Sequence, residues 1–248
     1  MMNTSSFPIT ACPCWARVLA PVVTATVIVV ATGVPADAAS APAVGDTYVY
    51  RVVNGYNKEV RGQISYRVDT IDADRIMVSV ATDIAALGPA RTEIYTREGN
   101  WLRHPVTNHD QPVEYAFAPA YPAYVLPLET GKSWSVRVNA LNPATGRRNS
   151  VRVDGEVLGA ERITVPAGAF DTIRVRRRVY AGDWDGVRFE TNITETDWYA
   201  PALGRTVRTE SNSGYLDPSR CGDMTDACTP IRGDWNMIEL TATSTGKP

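Results

Sequence analysis

The sequence predicts a mainly β protein: a curved antiparallel sheet or half-open barrel with little helix. Three observations carry that expectation. Apolar residues alternate with polar ones at period two almost everywhere past Ala38, the pattern of strands with one buried face. No segment sustains the 3.6-residue stripe of an amphipathic helix. Clusters of Gly, Pro and Asn punctuate the alternating runs at short intervals, as strand-linking turns require.

The chain opens differently. Residues 18–34 (VLAPVVTATVIVVATGV) form an apolar run preceded by Arg17 and followed by Ala36-Asp37-Ala38. That order of charge, apolar core and small residues is an export signal, so residues 1–38 are expected to be cleaved and the rest to be periplasmic or secreted. The 17-residue run falls short of the ~20 residues that span a bilayer, and it contains Pro21, Thr24, Thr26 and Thr32. No stable membrane span is therefore expected after cleavage. Cys12 precedes the apolar run, whereas a lipidated cysteine should follow it.

An antiparallel β domain is expected over residues 39–210. Its strands begin with Tyr48, Tyr50 and Val52, then Ile64, Tyr66 and Val68, then Ile76, Val78 and Val80. The best helix candidate is 82–88 (TDIAALG), capped by Thr82 or Asp83 and ended by Gly88 before Pro89. Residues 113–128 (VEYAFAPAYPAYVLPL) carry Pro119, Pro122 and Pro127 among aromatic residues. Proline at that density argues against helix and central strand, which leaves an extended strap packed over a sheet, or an apolar edge open to a ligand.

Later strands follow at Ile173, Val175, Arg177 and Val179, and at Asn236, Ile238 and Leu240. Residues 162–172 read as strand, tight turn, strand, with Pro166 setting the turn and Gly168 free to take positive φ; residues 197–207 repeat this with Pro201 and Gly204. Gly45-Asp46-Thr47-Tyr48 and Gly131-Lys132-Ser133-Trp134 each open a block of strands. Tyr66-Arg67-Val68-Asp69 answers Val151-Arg152-Val153-Asp154, and Trp101 answers Trp198. Two related sheet halves are one reading of these coincidences; the self-likeness of any strand-rich chain is the other.

Residues 211–248 form a C-terminal segment with a final strand and a short polar loop between Cys221 and Cys228. In an oxidising compartment these two cysteines are expected to form a disulfide. Cys-x6-Cys is not zinc spacing, nor is it the Cys-x2-Cys of a redox pair.

Composition narrows the function classes. The chain has 25 Lys and Arg against 27 Asp and Glu, and losing Arg17 and Asp37 with the leader keeps the net charge at −2. That balance gives no footprint for nucleic acid and no polybasic membrane anchor. Glu129-Thr130-Gly131-Lys132-Ser133 imitates a phosphate loop, but Leu126 stands where its first glycine is required. His104 and His109 lack zinc spacing and their neighbours Pro105 and Asn108 read as loop. Asp183 and Asp185 flank Trp184 at a hairpin tip that needs no metal. No Gly-x-Ser-x-Gly elbow occurs. Neither catalytic residue, metal nor cofactor is expected. Arg174, Arg176 and Arg178 share one strand face, read as a solvated outer face with Arg178 opposite Glu190.

The order Gly-Lys-Ser-Trp (131–134), Val-Pro-Ala-Gly-Ala-Phe-Asp-Thr (165–172) and Trp-Tyr-Ala-Pro-Ala-Leu-Gly (198–204) resembles a group of exported bacterial proteins of unknown function. Their curved antiparallel sheet is similar to that of the Lol-system lipoprotein carriers (LolA/LolB-like). The resemblance covers roughly residues 45–210. It implies a fold and a compartment, and no catalytic residues. The leading expectation is a non-catalytic envelope protein that binds a lipid-like or other hydrophobic ligand, or an envelope protein partner. Its binding residues would be Tyr115, Phe117, Tyr121, Tyr124, Trp134 and Trp198. The alternative is an exported carbohydrate-binding module or hydrolase using Trp101, Trp184, Trp198 and Trp235 against sugar rings.

Overall fold

The computed structural model describes residues 42–108, 111–182, 189–217 and 230–246. The leader, Cys221, Cys228, His109 and the 183–186 hairpin tip lie outside the described residues. The strands are β1 (Thr47–Asn54), β2 (Val60–Ile71), β3 (Arg75–Thr82), β4 (Arg91–Thr96), β5 (Trp101–Asn108) and β6 (Gln111–Tyr121), then β7 (Ser133–Leu141), β8 (Arg148–Val165), β9 (Gly168–Gly182), β10 (Phe189–Ala200), β11 (Arg205–Leu216) and β12 (Ile231–Ser244). Each pairs antiparallel with its neighbours in sequence, and β12 returns to β1, so the twelve strands close a barrel. Closure goes one step beyond a curved or half-open sheet. It leaves no free edge.

The period-two pattern sorts the wall. On β8 and β9, Val153 pairs with Val179, Gly155 with Arg177 and Val157 with Val175, and Val153, Arg177, Val157, Val175 and Val179 are all buried. Trp134 of β7 lies opposite Gly155, and its indole fills the space a side chain there would need. The outward residues between them carry ion pairs: Arg174 with Glu161 at 3.1 Å, Arg176 with Glu156 at 2.7 Å and Arg152 with Asp154 at 2.5 Å; across β1 and β12, Arg51 pairs with Glu239 at 2.7 Å. The Arg174–Arg176 face is thus the charged outer face, although its partners stand on β8. Arg178 pairs in register with Thr194, not with residue 190.

The halves are equal in strand number, β1–β6 and β7–β12, and begin alike. The Gly45 N–H donates to Val68 O (2.8 Å) and the Val68 N–H to Asp46 O (2.9 Å); the Gly131 N–H donates to Val157 O (2.9 Å) and the Val157 N–H to Lys132 O (2.8 Å). Both glycines take positive φ, 88° and 85°. This bonding matches Val68 with Val157, so the answering of 66–69 by 151–154 is out of step by four residues. Trp101 on β5 and Trp198 on β10 are not counterparts either.

Three further expectations are corrected. Residues 111–121 are an interior strand, because β6 pairs with both β5 and β7. Its ladder with β7 ends at Ala118, and the β5 register shifts between Trp101 and Arg103, so Pro119 sits where no ladder N–H is called for. His104, Pro105 and Asn108 belong to strand β5 rather than a loop. The helix over 82–88 shrinks to a 3₁₀ turn, Ala85–Leu87, capped by Ile84 rather than by Thr82 or Asp83 and ended by Gly88 at φ 76°. The predicted turns at Gly168 (φ 134°) and Gly204 (φ 59°) form as expected. The boundary at 210 falls inside β11, and the C-terminal segment supplies β12, the strand that closes the barrel.

Candidate functional site

Twelve strands enclose a wider lumen than valine can fill. Large aromatic and guanidinium side chains take up the remainder, and what they leave is a cavity of about 350 Å³. Nine strands and the 3₁₀ turn line it, which places it on the barrel axis. Its apolar wall is Trp101, Phe117, Tyr121, Val151, Val179, Ala181 and Ile193. The facing wall is polar: Ser211 and Ser213 from β11, Asp234 and Asn236 from β12. Ile84, Ala86 and Leu87 of the 3₁₀ turn, with Arg61, stand at the mouth, and Glu195 reaches in from β10. The volume falls within the range of about 300–1,000 Å³ usual for small-ligand sites.

Beneath the cavity lies a buried charge network. Arg177 is 2 % exposed. Its Nε donates to Glu195 Oε2 at 3.0 Å, its Nη2 lies 2.8 Å from Asp197 Oδ2, and its Nη1 donates to the Ala123 carbonyl at 3.0 Å. Tyr121 donates to Glu195 Oε2 at 3.1 Å, Tyr124 donates to Asp197 Oδ2 at 2.8 Å, and Thr209 donates to Asp197 Oδ1 at 2.7 Å. Burial works against the Arg177 charge, but Asp197 and Glu195 more than offset it and hold the guanidinium well above its usual value. Burial first, and the adjacent carboxylates second, push the Tyr121 and Tyr124 phenols well up.

Two more arginines are built into the interior. Arg205 lies over the rings of Tyr48 and Tyr66, 4.6 and 4.8 Å from their centroids, and its Nε donates to Tyr50 Oη at 3.0 Å. Arg91 pairs with the fully buried Glu93 at 2.9 Å, and Tyr95 donates to the same carboxylate. His104 borders this group and the cavity together. Its Nε2 is 3.5 Å from Glu93 Oε2, and its ring stacks on Trp101 at 3.9 Å.

The six residues expected to bind ligand are all in or against the core, but only Phe117 and Tyr121 line the cavity. Tyr124 lies in the network beneath. Tyr115 is buried in the same cluster, and Trp134 packs against it over Gly155. Trp198 belongs to the second apolar cluster, with Arg208 over its ring at 5.0 Å and its indole N–H on Glu161. Arg177, Glu195 and Asp197 were not singled out from sequence. The available signal was parity: Arg177 shares a row with Val175 and Val179, a charge in a buried register. Among the described tryptophans of the sugar-stacking group, Trp198 is buried, and Trp101 is sandwiched between His104 and Tyr121 at 3.9 and 4.2 Å. Trp235 is covered by Lys58 at 4.5 Å and Tyr56 at 5.4 Å. Among the described residues, no group of His, Cys, Asp and Glu is arranged to hold a metal ion.

No protein-family model matches the chain, and no curated protein matches it. Among solved structures, it is similar to a candidate lipoprotein of Parabacteroides distasonis (14 % identity, TM-score 0.47) and to a candidate exported protein of Bacteroides fragilis with a YmcC-like fold (13 %, 0.47); each match covers 82 % of this chain and 97 % of the other. It is also similar to the hypothetical lipoprotein YmcC of Escherichia coli, at 10 % identity and TM-score 0.39, over 79 % of this chain and 83 % of that one. Similarity at this level identifies neither a family nor an activity, and the likeness to Lol-system carriers rests on the turn motifs of the sequence alone.

Proposed function

We propose that this chain is an exported, non-catalytic, water-soluble barrel that holds a small amphipathic ligand in its axial cavity. The observation that carries this reading is the cavity itself, an apolar aromatic wall opposed to a hydroxyl, amide and carboxylate wall over a charged floor. Such two-sided lining suits a ligand with one apolar and one polar side. Export rests on the leader pattern of residues 1–38. Solubility is supported by the outer wall, where ion pairs such as Arg51–Glu239 and Arg176–Glu156 stand where a membrane barrel needs an apolar band. The partner-protein form of the reading has weaker support. The exposed large apolar residues Val44, Tyr56, Val60, Leu126 and Tyr180 are spread over both ends of the barrel instead of forming one patch. Sugar stacking has weaker support: Trp198 is buried, both faces of Trp101 are stacked on its neighbours, and Trp235 carries Lys58 over its ring.

The test uses a cavity-filling substitution on β9. Wild-type protein is titrated with N-phenyl-1-naphthylamine, whose fluorescence rises in apolar surroundings. Saturable binding that Val179→Trp abolishes while circular dichroism stays unchanged is the expected result. Equal binding by the variant, or none by the wild type, ends the proposal.

A further inference from the structure

We infer that the cavity selects an organic cation, a primary or secondary amine carried on an aromatic or compact apolar body. This rests on the reading of the cavity as a binding site and adds the ligand's charge. Of the polar groups on β10, β11 and β12 that line the cavity, the Glu195 and Asp234 carboxylates only accept, while the Asn236 amide and the Ser211 and Ser213 hydroxyls both donate and accept. The Asn236 Oδ1 is buried and has no hydrogen-bond partner among the described residues. A buried acceptor without a donor is costly to leave unmade, and an ammonium group supplies only donors.

The charges at the deep end agree. At ion-pair distance Arg177 serves two carboxylates, Glu195 at 3.0 Å and Asp197 at 2.8 Å. Of these three groups only Glu195 lines the cavity, so the charge the deep end presents to a ligand is negative, and a low dielectric strengthens its pull on a cation. Of the cationic side chains that line the space, Arg61 is exposed at the mouth. His104 is already engaged, its Nδ1 2.7 Å from the Pro105 carbonyl and its ring stacked on Trp101. Among the described lining residues Arg61 is the one lysine or arginine, so an anionic head that passed it at the mouth would face the Glu195 carboxylate inside. The aromatic wall of Phe117 and Tyr121 adds a quadrupole that also favours positive charge.

The test compares three isosteric probes by isothermal titration calorimetry on the folded chain: 2-naphthylmethylamine, 2-naphthylmethanol and 2-naphthoate. The amine is expected to bind tightest. Asp234→Asn, at the mouth, and Glu195→Gln, at the floor, should each weaken the amine by about tenfold or more relative to the alcohol; Asp234→Asn keeps the test usable if Glu195→Gln does not fold. If the alcohol or the naphthoate binds as tightly as the amine, or neither carboxylate variant affects the amine, the cation preference is overturned and the binding cavity stands. If none of the three binds, the binding reading itself fails and takes this inference with it.

Discussion

Arg177 Nη2 lies 2.8 Å from Asp197 Oδ2 inside the barrel, on adjacent strands whose registers bring Arg177 opposite Glu195 and Val175 opposite Asp197. The guanidinium therefore reaches diagonally to one carboxylate and straight across to the other. Its third contact, the Ala123 carbonyl, ties the segment after β6 to the wall of β9. One side chain joins three parts of the barrel.

Removing that side chain leaves two carboxylates buried without their cation. Arg177→Met is expected to cost about 3–5 kcal/mol, read as a lower urea midpoint by circular dichroism. Arg177→Lys keeps the charge but not the planar fork and should fall between the two. A variant as stable as the wild type would mean that the network adds nothing.

The buried phenols predict the alkaline limit of stability. Burial first, then Asp46, pushes the Tyr48 phenol up to about 12 from an ordinary value of 10.0; burial raises Tyr121 and Tyr124 as well. A phenol raised on folding keeps its proton in the native state where the unfolded chain would lose it. Its stabilisation is complete below the unfolded value and is lost as pH climbs through the folded one. Stability should hold up to pH 10.0 and decline towards about 12, with tyrosinate absorbance appearing together with loss of the far-ultraviolet signal. Titration of every tyrosine near its ordinary value, with the barrel intact, would contradict this.

Trp134 and Gly155 form a cross-strand pair in which the indole takes the place of a side chain. A Cβ on residue 155 would lie 2.0 Å from the ring. Gly155→Ala is expected to destabilise by about 1–3 kcal/mol through overpacking and to shift the Trp134 emission. A neutral substitution would show that the ring moves aside freely.

Arg205 lies over the Tyr48 and Tyr66 rings and bonds Tyr50. Arg205→Lys keeps a charge but cannot stack as a plane, and a loss of about 2 kcal/mol is expected for a desolvated cation–π group. Thermal unfolding would read it as a lower Tm, and an unchanged Tm would reduce the stacking to mere proximity.

Alternation over Tyr48–Val52 and Ile64–Val68 made strands legible residue by residue, since which face a side chain takes depends only on its immediate neighbours. The turns at Gly168 and Gly204 were legible for the same reason. Pro119 misled because proline's penalty depends on whether a ladder bond is wanted at that spot, and this is decided by the ends of β7 and the register of β5. The cavity-lining residues were legible only in part. Aromatic character marked Phe117 and Tyr121, while Ser211, Asp234 and Asn236 look like any polar strand residues until the wall closes.

By itself, the sequence determined that the chain would be stranded, which residues of each strand would share a face, and where the chain would turn. Tertiary structure alone decided that β1 would meet β12, bringing Tyr50 beside Leu240, and that Arg177 would find Asp197. Both outcomes depend on register between strands. Register follows from the cooperative fit of every inward side chain around the circumference, and no window of local sequence contains that sum.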